Sequence, residues 1–181
     1  NTLVHALFTT GRNLGAVSSG TAGFFESFQS PAEMAHHELE ATREMRALGL
    51  NTPEPIEAFE VDGYGVVVFE YLPAFRPLDD LDPETESWVA GSLFAALRTL
   101  HDAGLAHGDL RAENVLLLDD ALYFIDATSV DGDAQDGIQS YDLACALAAL
   151  EPLLGARAAV EAAEPSYSPA ELLSAADFLH F

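Results

Sequence analysis

The sequence predicts an α+β fold in two lobes, a small β-rich lobe over residues 1–72 and a mainly helical lobe over residues 73–181. Three observations support this prediction. The first lobe contains short apolar runs separated by glycine-rich turns, which are typical of strands. The second lobe contains longer segments with apolar residues at helical spacing. Within the second lobe, a polar loop is followed by a tight hairpin at 107–126.

Four strands are predicted in the first lobe from apolar and β-branched runs bounded by turn residues. Asp62-Gly63 is a strong hairpin signal, because both residue types tolerate the backbone conformation of a two-residue turn. The predicted strands are 3–10, 24–28, 55–60 and 64–70.

One helix is predicted over 31–48, between the second and third strands. Ser30 is a preferred N-cap residue, and Pro31 suits the first helical turn. Gly49 can adopt the left-handed conformation that ends many helices.

The second lobe is predicted to begin with a crossing segment marked by Pro73 and Pro77. A long amphipathic helix then starts at Asp82 or Thr85 and ends at Gly104, and its apolar stripe is expected to face the core. A polar loop is predicted over 127–138. Two or three further helices are expected, over about 139–154, 156–163 and 168–180.

The most informative segment reads His107-Gly108-Asp109-Leu110-Arg111-Ala112-Glu113-Asn114. An apolar run follows it as a buried strand, and a turn at Asp119-Asp120 returns a second strand that ends on Asp126. Taken singly, His107 would be a core histidine, and the acidic and amide residues would be turn or cap residues. Their combination with the hairpin is far more specific than any one of them.

This combination indicates phosphoryl-transfer chemistry, which needs positioned metal ions and an oriented acceptor hydroxyl. Asp109 can accept or orient the proton of the acceptor. Asn114 and Asp126 supply oxygen ligands that can hold metal ions. We therefore predict Asp109, Asn114 and Asp126 as the catalytic residues.

The net charge of the chain limits the classes of partner that it can bind. The net charge is −23, and the basic residues are seven arginines with no lysine. Such a surface repels nucleic acid and anionic membranes, so we expect neither as a partner. The acidic residues are spread along the chain, which favours adaptation to concentrated salt over an acidic binding face. Screening over about 3 Å at 1 M salt removes most self-repulsion. The composition is typical of halophilic archaea.

The single cysteine, Cys145, lies in an apolar helical run and is interpreted as a buried, inert thiol. No segment is apolar enough to span a membrane, and no secretory leader is visible. The expectation is an intracellular, cytoplasmic protein.

The 107–126 segment resembles the catalytic loop and hairpin of the protein-kinase-like superfamily. The His-Gly-Asp form resembles its small atypical members: RIO kinases, the KEOPS-complex kinase and aminoglycoside-type phosphotransferases. The resemblance extends over about 31–155. It implies a two-lobed kinase-like fold, Mg²⁺ and ATP as cofactors, and a protein or small-molecule hydroxyl acceptor.

Further site residues are implied by this resemblance. The ending Gly49-Leu50-Asn51-Thr52-Pro53 places Glu38 in the ion-pairing position of the preceding helix. Phe69-Glu70-Tyr71-Leu72 resembles the hinge, with Phe69 as gatekeeper and the backbone of Glu70 and Leu72 against adenine. Asp142 resembles the buried residue that supports the catalytic loop.

The chain departs from the family pattern where the nucleotide phosphates would bind. A lysine is expected there, but the corresponding segment reads Phe24-Phe25-Glu26, and Arg12 is the only cation ahead of the helix. The glycine turns do not form G-x-G-x-x-G. Three hypotheses follow: an atypical serine/threonine-type protein kinase with a rebuilt phosphate site, a pseudokinase that acts by binding, and a small-molecule phosphotransferase. The sequence slightly favours the first.

Overall fold

The computed structural model describes residues 5–7, 30–78, 81, 86–127 and 135–179. Their elements confirm the predicted α+β fold, with a small sheet that carries one helix followed by a helical region around a second small sheet. The predicted strand 24–28 lies outside the described residues.

The first sheet contains three antiparallel strands in the order β1-β3-β2. They are β1 (His5–Leu7), β2 (Pro55–Val61) and β3 (Tyr64–Phe69). Helix α1 (Pro31–Ala47) packs on β2 and β3. Its first turn is capped as predicted, since the Glu33 N–H donates to Ser30 Oγ at 3.1 Å.

Gly65 allows α1 to approach the sheet closely. A methyl group at Gly65 would overlap the carbonyl oxygen of Pro31, the first residue of the helix. Farther along α1, a small apolar cluster forms where side chains of the helix pack against side chains of β2 and β3. The cluster comprises Ala35, Leu39, Ala58, Val67 and Phe69.

The second sheet has the order β4-β5-β6 and consists of β4 (Arg76–Pro77), β5 (Val115–Leu118) and β6 (Ala121–Phe124). Strand β4 lies within the predicted crossing segment and was not itself predicted. Arg76 pairs with Leu117 in antiparallel register, so the crossing is tied to the hairpin. Pro77 is tolerated because β4 lies at the sheet edge.

Four helices complete the described fold: α2 (Glu86–Asp102), α3 (Gln135–Leu154), α4 (Ala156–Ala163) and α5 (Pro169–Ala176). They enclose the main core with the second sheet. The predicted start of α2 at 82 or 85 lies outside the described residues. None of the described helices is long and apolar enough to cross a bilayer.

Two helix boundaries differ from the predictions by four residues, and the others that differ do so by one or two. Helix α3 begins at Gln135 rather than 139, because Ile138 is fully buried against Ala106 and anchors its first turns. Helix α5 ends at Ala176 rather than 180. Its start is fixed by a capping box in which Ser168 and Glu171 exchange hydrogen bonds.

Arg98 attaches α5 to α2. Its Nε donates to the Ser166 carbonyl oxygen at 2.8 Å, and its Nη2 lies 2.5 Å from Glu171 Oε1. The guanidinium also lies 4.1 Å from the centre of the Tyr167 ring. The hydrogen bond from Arg98 to Glu171 lowers the pKa of Glu171 to about 2.

Candidate functional site

The candidate site is built on the 107–114 loop, which connects α2 to β5. A single turn of 3₁₀ helix over Ala112–Asn114 leads into the strand. Asn114 is buried, and its Nδ2 donates to the Asp109 carbonyl oxygen at 2.8 Å and to Asp109 Oδ2 at 3.3 Å. Asn114 therefore orients Asp109, and its Oδ1 is the amide atom suited to a metal ion.

Asp142 of α3 supports this loop from within the core. Its carboxylate is fully buried and accepts from the backbone N–H of His107 at 2.5 Å and of Gly108 at 2.9 Å. His101 Nε2 lies 3.4 Å from the same carboxylate, and the Tyr167 hydroxyl lies 3.0 Å from His101 Nδ1. The predicted structural role of Asp142 is confirmed by these contacts.

His107 is the first residue of the loop, and its imidazole is buried and neutral. Its Nδ1 accepts from the Asp109 N–H at 3.3 Å, which places the imidazole proton on Nε2. Burial lowers the pKa of His107 below its ordinary value, and this effect outweighs the nearby carboxylates of Asp142 and Asp109. His107 thus shapes the loop and carries no charge at neutral pH.

Asp126 follows β6 and completes the acidic cluster. Its backbone is left-handed, with φ of 56°. The Ile125 N–H donates to the Asn114 carbonyl oxygen at 3.1 Å, which links the end of the hairpin to the loop. Burial and, next, the negative charge of Asp109 raise the pKa of Asp126. The two carboxylates therefore repel each other across a partly buried space.

This donor set fits a hard divalent cation. The amide oxygen of Asn114 and the carboxylate of Asp126 are ligands that Mg²⁺ prefers, and a cation would relieve the repulsion at Asp126. In the part of the chain that the structure describes, no group of three or more His, Cys, Asp or Glu side chains could hold a metal ion. Mg²⁺ would thus depend on few protein ligands, as is usual for Mg²⁺ with phosphates.

Arg111 brings positive charge to the cluster and was not among the site residues predicted from the sequence. Its Nη2 lies 2.8 Å from Asp109 Oδ2, and its Nη1 lies 2.8 Å from Glu113 Oε1. The signal was present in the sequence, because Arg111 stands two residues after Asp109 in a chain without lysine.

A cavity of about 300 Å³ extends from the 69–72 segment to Asp126. This volume lies at the lower end of small-molecule sites. Four predicted site residues line it: Phe69, Glu70, Leu72 and Asp126. The other lining residues were not predicted: Thr42, Pro53, Tyr71, Phe75, Leu116, Phe124 and Ile125. Asp109 and Asn114 do not line the cavity. Asp126 is the member of the cluster that does.

The 69–72 segment is held by Glu54. The Glu70 N–H donates to the Glu54 carbonyl oxygen at 2.9 Å, and the Glu54 N–H donates to Glu70 Oε2 at 3.3 Å. Phe69 is buried where β3 ends. The chain therefore enters the segment in a fixed position beside the cavity.

Glu38 is buried on α1, one turn before the cavity residue Thr42, whose Oγ1 donates to the Glu38 carbonyl oxygen at 2.9 Å. Its side chain does not line the cavity. Arg12, the 24–26 segment and the glycine turns lie outside the described residues.

Cys145 lies on α3, three residues after Asp142, and is partly exposed rather than fully buried as predicted. Burial raises the pKa of its thiol to about 11, so the thiol is protonated at neutral pH. This agrees with the predicted inert role.

Residues 26–139 match the family described as the RIO domain. The chain is also 31% identical over 115 residues to the KEOPS complex subunit Bud32 of Pyrococcus abyssi (strain GE5 / Orsay), covering 61% of this chain and 51% of Bud32. It thus spans about half the length of this curated relative.

Solved kinase-like structures share the fold. WaaP in complex with acyl carrier protein matches with a TM-score of 0.59 and 19% identity, over 80% of this chain and 72% of WaaP. The Neurospora crassa PAN3 pseudokinase matches with a TM-score of 0.51 and 18% identity, over 79% of this chain and 43% of PAN3. The predicted two-lobed kinase-like fold is thereby confirmed.

Proposed function

The chain belongs to the RIO domain family of kinase-like proteins, and we propose that it binds Mg-ATP and transfers a phosphoryl group to a hydroxyl acceptor. One observation carries this proposal. Asp109, Asn114 and Asp126 form a connected cluster in which the Asn114 amide donates to Asp109, and burial together with the charge of Asp109 raises the pKa of Asp126. Asp126 of this cluster lines the same cavity as Phe69, Glu70 and Leu72.

Each residue of the cluster has a distinct role in the proposal. Asp109 orients the acceptor hydroxyl and accepts its proton, held in place by the Asn114 amide. Asn114 Oδ1 and the Asp126 carboxylate hold Mg²⁺. When bound, Mg²⁺ neutralises charge on the nucleotide phosphates.

The adenine base would occupy the cavity beside the 69–72 segment. Because the Glu70 N–H is engaged by Glu54, the carbonyl of Glu70 and the backbone of Leu72 are the groups we assign to the base. Phe69 forms the inner wall. We place the lobe boundary at this segment, with lobes over 1–72 and 73–181. Glu38 is proposed as the ion-pairing acid of α1, near the phosphate side.

A protein hydroxyl is the acceptor that we favour, because the family comprises kinase-like proteins. A pseudokinase is the second candidate, favoured by one observation: the chain contains no lysine to bind the nucleotide phosphates. In that case the fold would act through a protein partner. The net charge of −23 argues against nucleic acid in either case.

Turnover of ATP labelled on its terminal phosphate distinguishes these candidates. We expect Mg²⁺-dependent hydrolysis or self-phosphorylation in concentrated KCl, falling by about 10²–10⁴-fold in Asp109→Asn, which loses the proton acceptor at constant side-chain size. Asp119→Asn, in an exposed turn, serves as the control. ATP binding without turnover would support the pseudokinase instead.

A further inference from the structure

A second cavity lies in the helical region, between α2, α3 and the segment that leads into α5. Its volume is about 260 Å³, and it shares no lining residue with the cavity beside the 69–72 segment. Its wall includes His101 of α2, Gln139 of α3 and Tyr167, which stands just before α5. His101 and Tyr167 are 6% and 4% exposed, so the cavity reaches polar side chains of the core.

The hydrogen bonds of His101 and Tyr167 determine what they can offer a ligand. His101 Nε2 lies 3.4 Å from the buried carboxylate of Asp142, so this nitrogen carries the imidazole proton. His101 Nδ1 therefore accepts from the Tyr167 hydroxyl, at 3.0 Å. Because Tyr167 donates its single hydroxyl proton to His101, its oxygen remains available only as an acceptor.

Other polar groups of the wall are also acceptors. Gln139 Nε2 donates to the carbonyl oxygens of His101 and Leu105 at 3.0 and 3.2 Å, so its Oε1 is the atom left for a ligand. Ser174 Oγ donates to a carbonyl oxygen of its own helix at 3.1 Å and keeps only lone pairs. Glu171 adds a carboxylate. A ligand that donates hydrogen bonds matches this wall.

Charge, polarity and size narrow the class of ligand further. The carboxylate of Glu171 and the net charge of −23 favour a cation over an anion. Leu143 and Ala170 give the cavity an apolar side, which suits an aliphatic chain. The volume lies below that of sites for drug-sized molecules, so the ligand is compact.

We propose that this cavity binds a small aliphatic amine in its ammonium form. The ammonium group donates to Tyr167 Oη and Gln139 Oε1, and the alkyl chain packs against Leu143. Tyr167 is linked through His101 to Asp142, which holds the 107–114 loop, so an occupied cavity steadies the support of that loop. This inference does not depend on nucleotide binding.

Ligand-detected NMR titration with n-butylamine tests the proposal. The titration is made in about 1 M KCl, where screening over about 3 Å suppresses general attraction to the acidic surface. n-Butanol and butyrate provide a neutral and an anionic ligand of the same chain length. We expect n-butylamine to bind at least about tenfold more tightly than either, because its hydrogen bonds are charge-assisted.

Matched variants on α5 locate the binding. Ala170→Phe fills the cavity from an exposed position of its wall and should abolish binding of n-butylamine. Ala176→Phe makes the same exchange at an exposed position outside the wall and should leave the affinity unchanged. Tyr167→Phe removes one acceptor and should weaken binding about tenfold. Ala170→Phe removes no side-chain hydrogen bond, so it tests the proposal even if Tyr167→Phe folds poorly.

Four results would overturn the proposal. Absence of n-butylamine binding to the wild type would remove the site. Equal affinity for n-butanol would make the recognition purely apolar, and preference for butyrate would assign the cavity to anions at the start of α5. Equal affinities in Ala170→Phe and Ala176→Phe would place the bound amine elsewhere on the protein.

Discussion

Asp142 on α3 accepts a 2.5 Å hydrogen bond from the backbone N–H of His107, so a buried helix residue fixes the loop that carries Asp109. The second carboxylate oxygen accepts from Gly108 at 2.9 Å. His101 and Tyr167 extend this network across α2 towards α5. The position of Asp109 therefore depends on the packing of the helical core.

Asp142→Asn should destabilise the protein and weaken nucleotide binding. The amide offers one acceptor oxygen where the carboxylate offers two, and its NH₂ group would face a loop N–H. We expect a loss of about 2–4 kcal/mol in the free energy of unfolding, because a buried donor is left unsatisfied. Denaturant titration measures this loss. Asp119→Asn is the control, and equal unfolding free energies in the two variants would contradict the assigned role.

The buried His107 predicts that stability falls on mild acidification. Its folded pKa lies below the ordinary value of 6.5, so the unfolded chain binds the proton first as pH falls. The stabilisation is present above pH 6.5 and is lost as pH falls through the folded pKa, by at most about 1.4 kcal/mol per pH unit. His107→Gln should reduce this pH slope. Identical slopes in wild type and His107→Gln would refute the prediction.

Two glycines should respond to alanine in opposite directions. Gly65→Ala places a methyl group against the Pro31 carbonyl and should cost about 1–3 kcal/mol of unfolding free energy. Gly91 lies within α2 with open space at its Cβ position, so Gly91→Ala should stabilise by about 1 kcal/mol. Thermal unfolding of both variants measures the difference. A stable Gly65→Ala variant would show that α1 can shift from the sheet.

The sequence predicts those elements whose signals are local. Ser30 and Pro31 define the start of α1, and the Asp62-Gly63 turn defines the β2–β3 hairpin. The spacing from Asp109 to Asn114 and the position of Asp126 just after the hairpin identified the acidic cluster, because the chemistry constrains residue type and separation together. The predicted strand end at Asp126 is wrong, since β6 ends at Phe124.

Other features depend on contacts between distant segments. Strand β4 has two residues, one of them proline, and exists because it pairs with β5. Thr42 lines the cavity only because α1 packs beside the 69–72 segment. Helix α3 starts early because Ile138 is buried. The sequence alone did not predict this start, because the neighbouring Gly137 is a poor helix former.

The net charge of −23 predicts that stability rises with salt concentration. At low ionic strength the carboxylates repel one another over a longer distance. The protein should then lose its cooperative thermal unfolding transition. Melting the protein in KCl from dilute buffer to molar concentration measures this dependence. Full stability in dilute buffer would point to an acidic binding face.

Asp126→Asn separates metal binding from folding. The folded pKa of Asp126 lies above its ordinary value of 3.8, so the ionised carboxylate destabilises the fold at neutral pH. An amide at this position carries no charge to bury and does not repel Asp109. The variant should therefore be at least as stable as the wild type without Mg²⁺. A clear loss of stability would contradict the electrostatic account of the cluster.

Calorimetry of ATP binding in concentrated KCl, with and without Mg²⁺, tests the central claim most directly. The account predicts Mg²⁺-dependent binding to the wild type and its loss in Asp126→Asn, because Asp126 is a proposed metal ligand that lines the cavity. Binding that is absent from the wild type, or equal in the variant, would contradict the claim.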